Sequence, residues 1–122
     1  MDTKLLVVKK FSFCAAHHLP NYEGKCKEVH GHTWVVELGL RGSKNLESGM
    51  VIDFSVIKKK FGKYLDKNYD HKDLNTILDN PTAENIAEKL FKRAKRMFRG
   101  YSIKFIRVWE STDSYAEAYM EV

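Results

Sequence analysis

The chain has only two cysteines, Cys14 and Cys26, among its 122 residues. That is too few for a disulfide framework, so each thiol has a local job or none. Proline is equally scarce at two residues, and 43% of positions are hydrophobic, which excludes a disordered or low-complexity chain. Apolar runs end after a handful of residues, far short of a membrane span. The first residues carry no signal-peptide pattern, so a cytoplasmic location is expected. No linker composition interrupts the sequence, and one domain over residues 1–122 is expected. Internal repeats at solenoid or propeller periods are also missing.

Positive charge is in modest excess, with 21 Lys and Arg against 16 Asp and Glu for a net +5. Much of it lies in KKKFGK and KRAKRMFRG, on predicted helices whose outer faces are ordinarily just solvated. There is no recognition motif and no basic strand interleaved with aromatics, so nucleic acid is not an expected partner. A small polyanion such as a phosphorylated substrate suits the same charge.

Residues 4–16 alternate, with Leu5, Val7, Phe11, Phe13 and Ala15 on one face and Lys10, Ser12 and Cys14 on the other, which predicts a long strand. His17 continues the apolar face, and LPNYEGK then reads as a loop. From His30 the alternation is cleaner: His32, Trp34, Val36, Leu38 and Leu40 share a face opposite Thr33, Val35, Glu37 and Arg41. Asp53 is a candidate N-cap for a first helix to about Lys67, striped by Phe54, Ile57, Phe61, Tyr64 and Leu65. Thr82 caps a second, striped by Ile86, Ala87, Leu90, Phe91, Ala94, Met97 and Phe98 and stopped by Gly100. YSIKFIRVWE and SYAEAYMEV, joined by a tight STD turn, predict a closing hairpin. The order ββααββ predicts an α+β layer, an antiparallel sheet with both helices on one face.

Four of the five histidines fall between residues 17 and 32. Strand neighbours two apart project in parallel, so His30 and His32 can chelate one ion, with His17 arriving from the preceding strand. Three imidazoles without a nearby carboxylate suit Zn²⁺ and leave a fourth position open, the catalytic form of a zinc site. His18 has the opposite parity and is a bystander. Cys26, in the loop before His30, is either a fourth ligand that closes the site or a thiolate kept for chemistry, and spacing leaves both open. Asp70 and His71, side by side after the first helix, suit a proton relay, although such pairs are commonplace in loops. Glu110 ends a buried strand and needs a partner, either two N–H donors of a guanidine-like ring edge or a cation such as Arg107.

FCAAHHLP, CKEVHGH, GMVIDFSVIK, YDHKDLN, NPTAENIA and RVWES occur in this order along nearly the whole chain. Together they resemble the 6-pyruvoyltetrahydropterin and 6-carboxytetrahydropterin synthase family. The resemblance implies the tunnelling fold, a four-stranded antiparallel sheet with two helices on one face. It also implies assembly through sheet edges into trimers stacked as homohexamers, with active sites between subunits. In it His17, His30 and His32 match the zinc ligands, Cys26 the catalytic thiol, Asp70 and His71 the rest of the proton relay, and Glu110 the carboxylate that anchors the pterin. The implied substrate is 7,8-dihydroneopterin triphosphate.

The three residues between Cys26 and His30 resemble the 6-carboxytetrahydropterin synthases of the 7-deazaguanine (queuosine-type) pathway, which release acetaldehyde and triphosphate. A pyruvoyl-forming or aldolase-like pterin enzyme is the alternative within the same fold. Tyr69, where the family commonly has Leu, and His18, where Arg is common, depart from the pattern. Lys25, Lys27, Lys72 and Arg107 are all candidates for holding the triphosphate. A different class of reading is a non-catalytic module whose zinc is closed by Cys26; it predicts that Cys26→Ala strips the metal and lowers stability.

Overall fold

Strict alternation in the two long strands decides which face of the sheet is covered. The computed structural model describes residues 3–121. Strands β1 (Leu5–His17) and β2 (His30–Gly42) pair antiparallel along their whole length, with Phe13 opposite Trp34, Ala15 opposite His32 and His17 opposite His30. Trp34, Val36, Leu38 and Leu40 are fully buried, whereas Thr33 and Arg41, on the opposite face, are exposed. Such a pattern admits no one-residue slip, because a slip would turn the whole apolar set to water.

The first helix, α1, begins at Phe54–Ile57, passes through a wider π turn at Lys58–Gly62 and ends with Lys63–Asn68. Asp53 caps it, its side chain accepting from the Ser55 N–H at 2.8 Å. Helix α2 (Ala83–Met97) is capped by Thr82, whose hydroxyl accepts from the Asn85 N–H. Ile57, Phe61 and Leu65 of α1 and Ile86, Leu90 and Ala94 of α2 join the buried residues of β2 in one core. Both helices therefore lie on the same face of the sheet. Among the described residues no helix is long and apolar enough to cross a membrane.

The sheet corrects the expected four antiparallel strands: it has five, in the order β3-β1-β2-β4-β5, and it is mixed. β4 (Ser102–Ser111) and β5 (Ser114–Ala118) form the expected hairpin. The extra strand, β3 (Lys72–Asp73), runs parallel to Ala15 and Ala16 at the end of β1. Its cause is the loop after α1. The Asp70 carboxylate accepts from the Cys14 N–H at 3.0 Å and the His71 N–H donates to the Cys14 carbonyl at 2.6 Å, which docks this loop on the edge of β1.

β2 and β4 change register between Gly39 and Leu40. Gly39 lies under the Phe105 ring, where an added Cβ would come within 2.5 Å of the ring and force it to move.

Candidate functional site

His17 ends β1 and His30 begins β2, directly opposite it, while His32 lies two residues further along the same face. The three ring centroids are 4.5 to 5.1 Å apart, and one nitrogen from each ring lies within 4.8 Å of the other two. Trp34 forms the floor: its indole is fully buried, donates to the Ala15 carbonyl and meets His17 and His32 edge-on at 4.9 and 5.4 Å.

Backbone carbonyls orient two of the rings. His17 Nδ1 donates to the Pro81 carbonyl and His30 Nδ1 to the Glu28 carbonyl, each at 2.8 Å. Each ring thus keeps its proton on Nδ1 and offers the Nε2 lone pair. His17 Nε2 and His32 Nε2 are buried without any hydrogen-bond partner. Burial holds both rings below the ordinary imidazole pKa and so in the neutral, metal-binding form; for His17 this outweighs the opposing pull of the Pro81 hydrogen bond. Three convergent imidazoles, two of them held neutral with orphaned nitrogens, fit a nitrogen-loving divalent metal.

The other sequence candidates are distributed around this centre. Cys26 sits half-buried in a single 3₁₀ turn (Lys25–Lys27), its carbonyl accepting from the Leu19 N–H, and it is outside the group of converging ligand atoms. Glu110, on the same sheet face as the histidines, approaches His17 Nε2 to 3.7 Å. Arg107 is not its partner: it lies on the opposite face, bound to Glu117 at 2.6 Å.

Asp70 and His71 pair with each other at 2.9 Å and anchor to the backbone of Cys14, making no hydrogen bond to the three histidines. Hydrogen bonds from Cys14 and then His71 hold the Asp70 carboxyl below its usual pKa. His71 has φ 58°, a left-handed conformation costly for any residue but glycine, and its side chain is 80% exposed. His71 and Lys72 face Cys14, Thr33 and the end of β1 across an open cavity of about 610 Å³.

Two supports have no counterpart in the sequence reading. The Pro81 carbonyl is one; the placement of Thr82 as an N-cap located Pro81 without saying that it reaches His17. Asn75 is the other, accepting from the His18 N–H at 2.9 Å and donating to the His18 carbonyl at 3.0 Å, which fixes the chain as it leaves β1. His18 itself stays outside the group of ligand atoms, as its parity predicts.

Residues 6–121 match the family described as 6-pyruvoyl tetrahydropterin synthase. An Archaeoglobus fulgidus protein provisionally named 6-carboxy-5,6,7,8-tetrahydropterin synthase is 36% identical over 117 residues, 96% of this chain and 97% of that one. A dihydroneopterin monophosphate aldolase from Pyrococcus furiosus is 35% identical over 111 residues, 90% and 93% of the two chains. The structure of Caenorhabditis elegans 6-pyruvoyl tetrahydropterin synthase superposes with a TM-score of 0.87 at 25% identity, over 98% of each chain.

Proposed function

The chain belongs to the 6-pyruvoyl tetrahydropterin synthase family, a family of pterin synthases, and on that premise we propose that it converts 7,8-dihydroneopterin triphosphate and one water to 6-carboxy-5,6,7,8-tetrahydropterin, releasing acetaldehyde and triphosphate. The observation that carries this reading is the open imidazole triad: three histidine nitrogens converge while Cys26, the only loop thiol, stays outside. A structural zinc site would have drawn the thiolate in.

In this reading His17, His30 and His32 hold zinc, which when bound polarises the side-chain hydroxyls of the substrate and acidifies the adjoining C–H and O–H bonds. Glu110 accepts the N–H donors of the amino-pyrimidine edge and orients the ring. Cys26 as thiolate takes a proton from the side chain. His71, oriented by Asp70, donates and accepts protons as the carbon skeleton is cut and the triphosphate leaves.

Asp70 and His71 anchor at the edge of β1 without a hydrogen bond to the triad, which supports a site completed by a second subunit. β3 covers only Ala15 and Ala16, so the rest of that edge has no strand partner among the described residues. The groove beside it is rimmed by Lys9, Lys10, Lys58, Lys59 and Lys63 with a single Asp66, whereas the groove along the other edge, β5, mixes Glu84, Glu88 and Glu117 with Lys92 and Lys95. A strand edge left without a partner suits closure into rings through sheet edges, and a hexamer of stacked trimers is the assembly proposed. The pathway proposed is that of 7-deazaguanine synthesis, in the cytoplasm.

Anaerobic incubation of the zinc-loaded protein with 7,8-dihydroneopterin triphosphate, with products identified by mass spectrometry, tests the assignment. 6-Carboxytetrahydropterin with acetaldehyde is expected. 6-Pyruvoyltetrahydropterin would place the enzyme in the other synthase branch. The resemblance to the Pyrococcus aldolase favours a second reading, carbon–carbon cleavage of dihydroneopterin monophosphate, and that compound is the second substrate to supply. Cys26→Ala is expected to keep its zinc and lose turnover; loss of zinc instead would return the closed structural site.

A further inference from the structure

We propose that Glu110 is an exchangeable ligand of the metal, closing the open coordination position in the resting protein and releasing it when a pterin ring arrives. The inference rests on the functional reading above and adds a second duty to a residue whose first is to bind the ring.

His17 and Glu110 meet in an electrostatic conflict. His17 spends its one ring proton on the Pro81 carbonyl, so Nε2 presents a lone pair. That nitrogen is buried and has no hydrogen-bond partner, yet the nearest charged group facing it is the carboxylate of Glu110, with Oε2 at 3.7 Å. A lone pair facing an anion at that range is repulsive, and a neutral imidazole has no proton to offer from this nitrogen. A cation between the two atoms removes the conflict.

Distance supports the same conclusion. Zinc bonds of about 2.0–2.2 Å to nitrogen and oxygen at a tetrahedral angle put the two ligand atoms roughly 3.3–3.5 Å apart. The observed 3.7 Å is a few tenths of an ångström longer. Glu110 approaches from the side of His17 and lies outside the group of three atoms within 4.8 Å. Its side chain is 34% exposed near the end of β4, free to turn between the metal and an incoming ring.

The two duties compete for one carboxylate. Engagement of Glu110 by ring N–H donors vacates the metal position that the substrate hydroxyls need, so ring recognition and metal exposure become one event.

The test measures zinc affinity by competition with a chromophoric chelator, and the visible spectrum of the cobalt(II)-loaded protein, for wild type, Glu110→Gln and the control Glu117→Gln. Glu110→Gln is expected to weaken zinc binding about 10–100-fold and to change the cobalt spectrum. Adding a pterin ring without a side chain to the wild-type cobalt protein should move its spectrum toward that of Glu110→Gln. Tight wild-type binding with Glu110→Gln inside roughly twofold of it and an unchanged cobalt spectrum overturns this inference alone. A wild-type protein that binds neither zinc nor cobalt overturns it together with the functional reading beneath it.

Discussion

The imidazole triad and the Asp70–His71 pair meet the same strand, at His17 and at Cys14, and are built in opposite ways. The triad stands on two long strands whose register is fixed by a buried apolar face, and backbone carbonyls aim two of its rings. The pair sits on a loop, in a strained backbone at His71, with an exposed imidazole and support from one strand edge only. A metal centre needs several ligands held within tenths of an ångström, which rigid elements supply. A proton-transfer group must meet substrate and exchange protons, which favours an exposed loop.

The largest effect should come from the rigid side. His17→Ala is expected to reduce zinc from about one per chain to near zero after dialysis, measured by atomic absorption, and to abolish turnover. Retained zinc would mean that the triad is not the metal centre.

On the loop side, His71→Gly should lower turnover roughly 10²–10⁴-fold while leaving zinc content unchanged. Because glycine accepts φ 58° freely, the unfolding free energy of this variant in urea should hold or rise, by up to about 1 kcal/mol. Loss of zinc in this variant would break the separation between the two regions.

Asn75→Ala probes the clamp between them. Losing both hydrogen bonds to His18 should cost about 1–3 kcal/mol of stability in urea unfolding, with zinc affinity changed far less.

The smallest effect is a pH signature. Asp70 has its carboxyl pKa lowered from 3.8 by Cys14 and His71, so its contribution is present above that value and is lost as pH falls through the lower folded-state value. Asp70→Asn should therefore be less stable than wild type at pH 7, with the gap in urea midpoint closing as both are acidified below about pH 4. A gap that stays constant would show that the carboxylate charge is not what anchors the loop.

How far the sequence carries differs between the same two regions. The histidine parity is a period-two pattern, visible in residues 30–40, and it led directly to the converging rings. Helix caps at Asp53 and Thr82 were equally legible, because capping is a local contract between neighbouring residues. β3 was not. Two residues carry no periodicity, and its cause is a contact between Asp70 and Cys14 across 56 positions of sequence. The Pro81 carbonyl and the approach of Glu110 to His17 escaped for the same reason, since backbone acceptors look alike in a sequence and only the fold decides which ring they meet. Whether Glu110 would pair with Arg107 was open; the alternation of β4, which sends them to opposite faces, decides it.

The complete pairing of β1 with β2 has a consequence for how such a protein can change over evolutionary time. The pairing sets where the three imidazoles leave the backbone, and the loop of residues 18–29 between the strands adds only the Glu28 carbonyl that aims the His30 ring. Insertions or deletions in that loop ahead of Glu28 move the Cys26 thiol without moving the backbone of the three histidines. Placement of the thiol and convergence of the imidazoles are thereby separate traits, and a lineage can vary the first by trial while inheriting the second intact.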